Sequence, residues 1–342
     1  MRVERISSQN LKEWQYFVDG NSKAGPYHHA GWFHVLQECF AVEPYYLWVV
    51  NDNAETQGIL PMYFSRSIFT GKHLSTLEGG VASNNSAAKQ LLCSWARELI
   101  NILGVRYILI RGDSPHNSLV CHEMPTVRNL IRLDGSPDEL WSSLNSNTRR
   151  KVRKARKNGF MVEERLDLLY EFYQIYAMRV RDLGTPTMGP DMFLAMKKYL
   201  KKYVRLQAVL LHGQIVGGMF LVASKDLITS LYVAVMSDLL PLYPTYLLYW
   251  TAIEKAFRST AATWLDFGRS IPGSGNHRFK QQWSKEEHQV SYFYCFNKNG
   301  NWPKKVKKTH TETSFKQLLW KRLPLSFSNF LGPILRRQLP FG

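Results

Sequence analysis

Two short stretches decide the fold: GILPMYF at residues 58–64 and VGGMFLV at residues 216–222. Each comes after a β-patterned segment, across a short polar turn. In the first case that segment is Tyr46–Val50; in the second it is Leu206–Leu211, turning at His212 and Gly213. Alternation of period two across such a turn reads as a β-hairpin. The downstream elements recur as well. HLSTLEGG (73–80) and LITSLYVAV (227–235) read as third strands. Leu91, Leu92, Trp95 and Leu99 recur at helical spacing within Ser86–Leu103, as do Leu247, Leu248, Ile253 and Phe257 within Thr245–Ser259. RYILIRG (106–112) and TWLDFGRS (263–270) return to strand pattern. The order hairpin, strand, helix, strand therefore occurs twice, about 160 residues apart, as an ancient duplication would leave it. The expected fold class is α/β (α+β), with two tandem units of mixed, mostly antiparallel sheet flanked by helices.

Between the copies, Asp138–Asn147 and the basic run after it are patterned as helix, and Leu166–Leu183 and Asp191–Tyr203 add two more helices. The expected division is 1–130, 131–300 and a tail at 301–342. With 45% hydrophobic and 13% aromatic residues, the 342-residue chain has the material for one large core or two medium ones, which excludes disorder for its bulk. The four cysteines (Cys39, Cys93, Cys121, Cys295) form no C-x-x-C pair, and the ten histidines fall into no metal motif, so neither a disulfide framework nor a metal site is expected. His28 and His29 lack a carboxylate or cysteine partner at ligand spacing and read as loop or packing residues. The amino terminus is too polar for a signal peptide, and no apolar run is long enough to span a membrane. A cytoplasmic protein, peripheral at most on the inner face of the membrane, is expected.

The net charge of +17 favours polyanionic company: nucleic acid, an anionic membrane or phosphorylated small molecules. TRRKVRKARKNG (148–159) carries seven of the cations. On a helix, Arg149, Arg153 and Arg156 form one stripe and Arg150, Lys154 and Lys157 another, with Val152 and Ala155 as a narrow apolar seam. Guanidinium forks suit bidentate phosphate contacts, which makes Arg149, Arg153 and Arg156 candidates for a phosphorylated substrate. About half of the net charge lies after Phe296. There Phe315, Leu318, Leu319, Leu323, Phe327, Phe330, Leu331, Ile334 and Leu335 recur at helical spacing beside lysines and arginines, interrupted at Pro324 and Pro333. Such a tail fits an interfacial helix on anionic lipid, or a helix docked on the protein's own surface or on a partner.

In LWSSLNSNTRRKVRKARKNGFMVEE (140–164), YPTYLLYWTAIEKAF (243–257), WLDFGRS (264–270), RFKQQWS (278–284) and SYFYC (291–295), the chain resembles FemAB-like transferases of the GNAT superfamily. The likeness continues more weakly through YHHAGWFHVL (27–36) and ILPMYF (59–64). The tail TSFKQLLWKRLPLSFSNFLGPILRRQLPFG (313–342) resembles the endings of a subgroup associated with exosortase and exopolysaccharide systems. The resemblance implies tandem GNAT-like domains and transfer of an acyl or aminoacyl group to an amine. The co-substrate would be acyl-CoA or aminoacyl-tRNA, with nothing tightly bound, and the acceptor a peptidoglycan or exopolysaccharide precursor. Two departures stand out. The Leu166–Tyr203 region has no room for the long helical hairpin of some tRNA-using members. The glycine-rich pyrophosphate loop of acetyl-CoA-using relatives is replaced by SDLLPLYPTYLL (237–248), where Pro244 can open a helix whose free N–H groups face an anion.

Acyl transfer to an amine needs a donor for the oxyanion and a route for the proton. Asp266 and Arg269 flank Phe267 and Gly268 at an expected strand end, where side chains emerge into a cleft. Lys280, on the Phe-Lys loop that the resemblance implies and with Arg278 and His277 near it, is placed to meet a phosphate or the leaving group. Tyr232 and Tyr243 are candidate proton donors. The catalytic set is thus Asp266, Lys280 and Tyr232, and the substrate- and phosphate-binding set Arg149, Arg153, Arg156, Tyr243, Arg269 and Arg278. On this reading Asp266→Asn or Lys280→Ala removes turnover while the melting temperature stays near wild type. The leading reading is an N-acyl or aminoacyl transferase acting on a cell-envelope precursor. The alternative is a non-catalytic GNAT-like scaffold recruited to the membrane for envelope polysaccharide assembly. Nucleic-acid binding through the basic helix ranks last; tRNA remains a candidate donor, and no motif for sequence-specific DNA binding accompanies the charge.

Overall fold

The computed structural model describes residues 1–112, 120–259, 262–297 and 315–338. Strand β1 (Arg2–Arg5) and helices α1 (Leu11–Gly20) and α2 (Gly31–Phe40) come first. The first repeat is the hairpin β2 (Glu43–Val50) and β3 (Thr56–Ser67), then β4 (Gly71–Thr76), α3 (Ser86–Ile102) and β5 (Tyr107–Arg111). Strand β6 (Val120–Arg132) leads to α4 (Pro137–Ser143), α5 (Ser146–Lys157), β7 (Phe160–Glu164), α6 (Leu169–Asp182) and α7 (Pro190–Leu200). The second repeat is β8 (Val204–Leu211), β9 (Gln214–Ala223), β10 (Leu227–Val235), α8 (Pro244–Phe257) and β11 (Trp264–Ser270). A short helix α9 (Gly275–Lys280), strand β12 (Glu287–Phe296) and the tail helices α10 (Phe315–Lys321) and α11 (Leu325–Arg337) close the chain.

The duplicated order of the sequence is therefore the order of the fold. In each copy a helix carries the chain between two parallel strands, β4 to β5 in the first and β10 to β11 in the second. Helix α3 starts where Asn85 accepts hydrogen bonds from the amides of Ala87 and Ala88, and it buries Leu92, Ala96 and Leu99 against the first hairpin.

The described strands form one sheet, in the order β1-β2-β3-β4-β5-β12-β6-β11-β10-β9-β8-β7. Its centre is an exchange. Strand β6 comes after β5 in the chain but pairs with β11, while β12 comes after β11 and pairs with β5. Each repeat is completed by the strand that leaves the other one, so residue 130 falls inside a strand that serves the far side of the sheet. One apolar core also joins the repeats: Trp14, Trp32 and Tyr46 pack in the same cluster as Phe172, Phe193 and Phe220. Helices α2 and α7 meet where Gly31 has no side chain; a Cβ there would lie 2.4 Å from the Tyr199 carbonyl oxygen.

Three local readings are corrected. The expected helix over Asp138–Asn147 breaks at Leu144 and Asn145, where Asn145 caps α5 by accepting from the Asn147 amide. The Phe-Lys segment expected as a loop is the short helix α9, capped by Ser274 accepting from the His277 amide. Pro333 does not interrupt the tail but rides inside α11, against Gly189.

Candidate active site

The parallel strands β10 and β11 are paired only over Leu227–Thr229 and Trp264–Asp266. Beyond that they part. Leu231 is an extra residue in β10 relative to β9, and such a bulge bends its strand away from the neighbour. On β11, Gly268 takes φ +73°, and a Cβ there would lie 2.8 Å from the Ser230 carbonyl oxygen. The split opens a cavity of about 810 Å³ at the carboxyl ends of two parallel strands, the usual place for a ligand in such sheets. Its walls include Ser230 and Leu231 from β10, Phe267–Arg269 from β11, Thr245 and Tyr246 from the first turn of α8, and Lys280 from α9. The hydroxyls of Ser230 and Thr245 are buried with no hydrogen-bond partner among the described residues, so two polar atoms in this cavity await one.

Lys280 is 3% exposed, and its Nζ donates to the carbonyl oxygens of Gly268 (2.7 Å) and Arg269 (2.8 Å). Two of the ammonium's three N–H bonds are thereby fixed, and the third is left for the cavity. Burial pushes its pKa down to about 8; Asp266 opposes that fall, and the cations of Arg269 and Arg128 add to it.

Arg269 and Glu78 face each other across the repeats, with Arg269 Nε 2.5 Å from Glu78 Oε1. Arg269 also donates to the Tyr292 hydroxyl. Sequence reading names Arg269 and misses Glu78. The available signal is a carboxylate just beyond a strand, between Leu77 and two glycines. Those glycines are required: Gly79 sits at φ +100° and Gly80 at φ +62°, and a Cβ on Gly79 would lie 2.4 Å from the His28 ring. His28 fastens this loop, accepting from the Gly25 amide at Nδ1 (3.0 Å) and donating from Nε2 to the Gly80 carbonyl (3.1 Å). Burial lowers its pKa to about 4, so the ring is neutral. His29 stacks on Tyr203 and bonds the Ala223 carbonyl, tying α2 to the second repeat.

A second chamber of about 410 Å³ adjoins the first, and Tyr27, Glu78, Leu231 and Arg269 line both. Tyr232 lines this smaller chamber, among Tyr176 and Phe193, with its hydroxyl 3.7 Å from Met192 Sδ. Burial raises its pKa, which keeps the phenol protonated and makes it a weak acid. Arg336, from the tail helix α11, lines the same chamber.

The structure sets Asp266 apart from the cavity it was expected to serve. The side chain is fully buried, accepts two hydrogen bonds from Arg128, and caps the Gly268 amide at 2.8 Å. Its place is beneath the cleft, bracing the turn that splits the strands. Arg278 is exposed on the outer side of α9.

The basic helix buries Thr148, Val152 and Ala155 and turns its two stripes to different neighbours. Arg149 donates to the Ser142 carbonyl (2.9 Å), Arg153 lies over Trp141, and Arg156 approaches Glu254 at 3.3 Å. None of the three lines the split between β10 and β11. The cations nearer to it are Lys151, whose Nζ donates to the Tyr246 hydroxyl at 2.8 Å, and Lys154, which lies over the Tyr243 ring. Tyr243 precedes α8 in the left-handed conformation at φ +69°, and Pro244 takes the first helical position. Pro244 carries no N–H and the Tyr246 amide donates to the Tyr243 carbonyl (3.0 Å), so what this helix start offers the cleft is chiefly the positive end of its dipole.

A cleft between splayed parallel strands, rimmed by a helix amino terminus, agrees with what comparison finds. Residues 142–281 match the family model of the acetyltransferase (GNAT) domain. The chain thus carries a GNAT domain and is of the acyltransferase class. The structure of FemX resembles it at TM-score 0.66 with 16% identity, over 87% of this chain and 98% of that one. L-PGS from Bacillus licheniformis resembles it at TM-score 0.58 with 12% identity, over 88% and 95%. A tandem GNAT protein from the clavulanic acid biosynthesis pathway does so at TM-score 0.54 with 9% identity, over 86% and 98%. The fold is accordingly a tandem GNAT-like arrangement. No curated protein matches the sequence.

Proposed function

We propose that the protein transfers an acyl or aminoacyl group from a phosphate-bearing donor, acyl-CoA or aminoacyl-tRNA, to an amine of a cell-envelope precursor. The acceptor class is an amino sugar or peptide of peptidoglycan or exopolysaccharide. The observation that carries this reading is the junction of the two chambers, where the Lys280 ammonium and the Glu78 carboxylate line one cavity between splayed strands. The donor's phosphates sit at the first turn of α8, beside Lys151 and Lys154. Its acyl carbonyl enters the larger cavity beside Lys280, and the acceptor comes from the smaller chamber.

The amine nitrogen attacks the carbonyl carbon, forming the C–N bond as the carbonyl π pair moves to oxygen. Glu78 takes the proton that the nitrogen loses. Lys280 supplies the hydrogen bond to the oxyanion. When the intermediate collapses, the bond to the donor's sulfur or ribose oxygen breaks, and the departing atom takes a proton from Lys280. Solvent then restores both groups. General acid–base help of this kind is worth about 10² to 10⁴ in rate, and an oxyanion donor about 10² to 10³.

We read residues 1–130 and 131–300 as the duplicated units and 301–342 as their tail, in a cytoplasmic protein that touches the inner face of the membrane. Among the described residues no helix is long and apolar enough to cross a membrane. The reading is tested by a thermal-shift screen with acyl-CoAs, charged tRNA and nucleotide-linked amino sugars, since a ligand bound by the native state alone raises the melting point. Mass detection of an amide product completes the test. Stabilisation by one donor and one acceptor, with an amide formed from both, is the expected result; no stabilisation by any donor counts against it.

A further inference from the structure

The tail helix α11 presents two unlike faces. Ser328 and Gly332 are buried against the body, where a Cβ on Gly332 would lie 2.7 Å from the Thr187 carbonyl oxygen. Phe327, Phe330 and Ile334 fall on the opposite side at spacings of three and four, and are 49%, 68% and 51% exposed. The end of the helix is fastened to the β3–β4 turn, where the Gln338 carbonyl accepts from Ser67 Oγ (2.6 Å) and its side-chain oxygen accepts from the Ile68 amide (3.0 Å). That turn carries Ile68, 80% exposed, and Phe69, 59% exposed. Two elements from opposite ends of the chain are thus bonded together, and each bears bare apolar side chains. Helix α10 adds Leu318 and Leu319, also about half exposed, beside the exposed cations Lys321 and Arg322. Arg66, exposed in β3, adds charge at the other side, as does Arg337 at the end of α11, whose Nε donates to the Cys39 carbonyl (2.9 Å) while the residue stays exposed.

We propose that this face is the protein's seat on an anionic bilayer, and that it delivers a lipid-borne acceptor to the smaller chamber, which rests on the transfer reaction proposed above. The occupant is argued from charge. A protein partner can cover apolar side chains of either kind of surface, but the cations beside them belong to a chain of net charge +17, whose complement is a surface of phosphate headgroups. Apolar side chains entering the interface and basic ones meeting headgroups are the two signals that stable peripheral attachment needs. The chamber lies behind this seat, because the same helix lends it Arg336. An acceptor whose anchor stays in the bilayer would reach the chamber with its polar head beside that guanidinium.

Flotation of the full chain with vesicles of phosphatidylcholine, with and without phosphatidylglycerol, tests the seat without requiring turnover. Wild type is expected on the phosphatidylglycerol vesicles only, with binding that weakens as salt rises. Phe327→Ser with Phe330→Ser, and separately Ile68→Ser with Phe69→Ser, should each weaken it by about tenfold or more, with melting temperatures close to wild type. Glu78→Gln should float like wild type even if it transfers nothing, which keeps the seat and the reaction separately testable. Wild type that stays unbound, or both double variants binding undiminished, overturns the proposal, and in the second case charge alone holds the protein.

Discussion

Arg269 and Glu78, on strand β11 and on the loop after β4, form a close ion pair that joins the two repeats at the wall between two chambers. Neither repeat supplies the site alone. The carboxylate comes from the first, the lysine and the split strands from the second, and the exchanged strands β6 and β12 hold the two in register.

Replacing Glu78 by Gln keeps an acceptor for Arg269 and removes the base. The expected outcome is a fall in kcat of about 10² to 10⁴, with the donor's KM little changed. Steady-state kinetics on purified enzyme would show it; a kcat within about threefold of wild type excludes Glu78 as the base.

Asp266 is expected to act on stability first. Substituting it would take the carboxylate partner from Arg128, whose side chain is 22% exposed, at a cost of about 1 to 3 kcal/mol. Asp266→Asn should therefore lower the melting temperature clearly, against the sequence-based expectation that it would not. An unchanged melting curve together with lost turnover would restore Asp266 to the chemistry.

Lys280 sets a pH limit. It must be protonated to serve the oxyanion and the departing atom, and its pKa is near 8 because burial lowers it. Rate should accordingly decline as pH rises through about 8. Stability runs the other way. The unfolded lysine titrates near 10.4, so between the two values the unfolded chain binds more protons, and this group's contribution favours the fold increasingly as pH rises. A kcat profile flat from pH 7 to about 10 contradicts the role.

Two sets of cations on the basic helix should separate in a binding assay. Lys151→Ala with Lys154→Ala is expected to weaken the donor by about tenfold, through loss of two charge-assisted contacts. Arg149→Ala with Arg153→Ala should leave it within about twofold. Equal effects would mean a diffuse field rather than a defined phosphate site.

The duplication is legible because hairpins and amphipathic helices write their periods into local sequence, as GILPMYF and VGGMFLV do. The exchange of β6 and β12 is not, since strand pairing across the sheet depends on partners more than a hundred residues away and leaves no local mark. At the site, Lys280 and Arg269 stand out because they come after a strand end with a glycine. Glu78 does not, because its role exists only once His28 clamps the Gly79–Gly80 turn and Arg269 arrives from the other repeat. Arg149, Arg153 and Arg156 stand out by charge density, which cannot say which side of a helix meets the body. Trp141 and Glu254 decide that.

The split between β10 and β11 as the place of acyl transfer is tested most directly by a crystal structure with a non-hydrolysable acyl donor. The donor's carbonyl oxygen should lie within hydrogen-bonding reach of Lys280 Nζ, about 3 Å, with its phosphates at the first turn of α8. Density instead in the equally large cavity of about 820 Å³ bordered by Ile131, Leu144 and Trp283 would contradict the account.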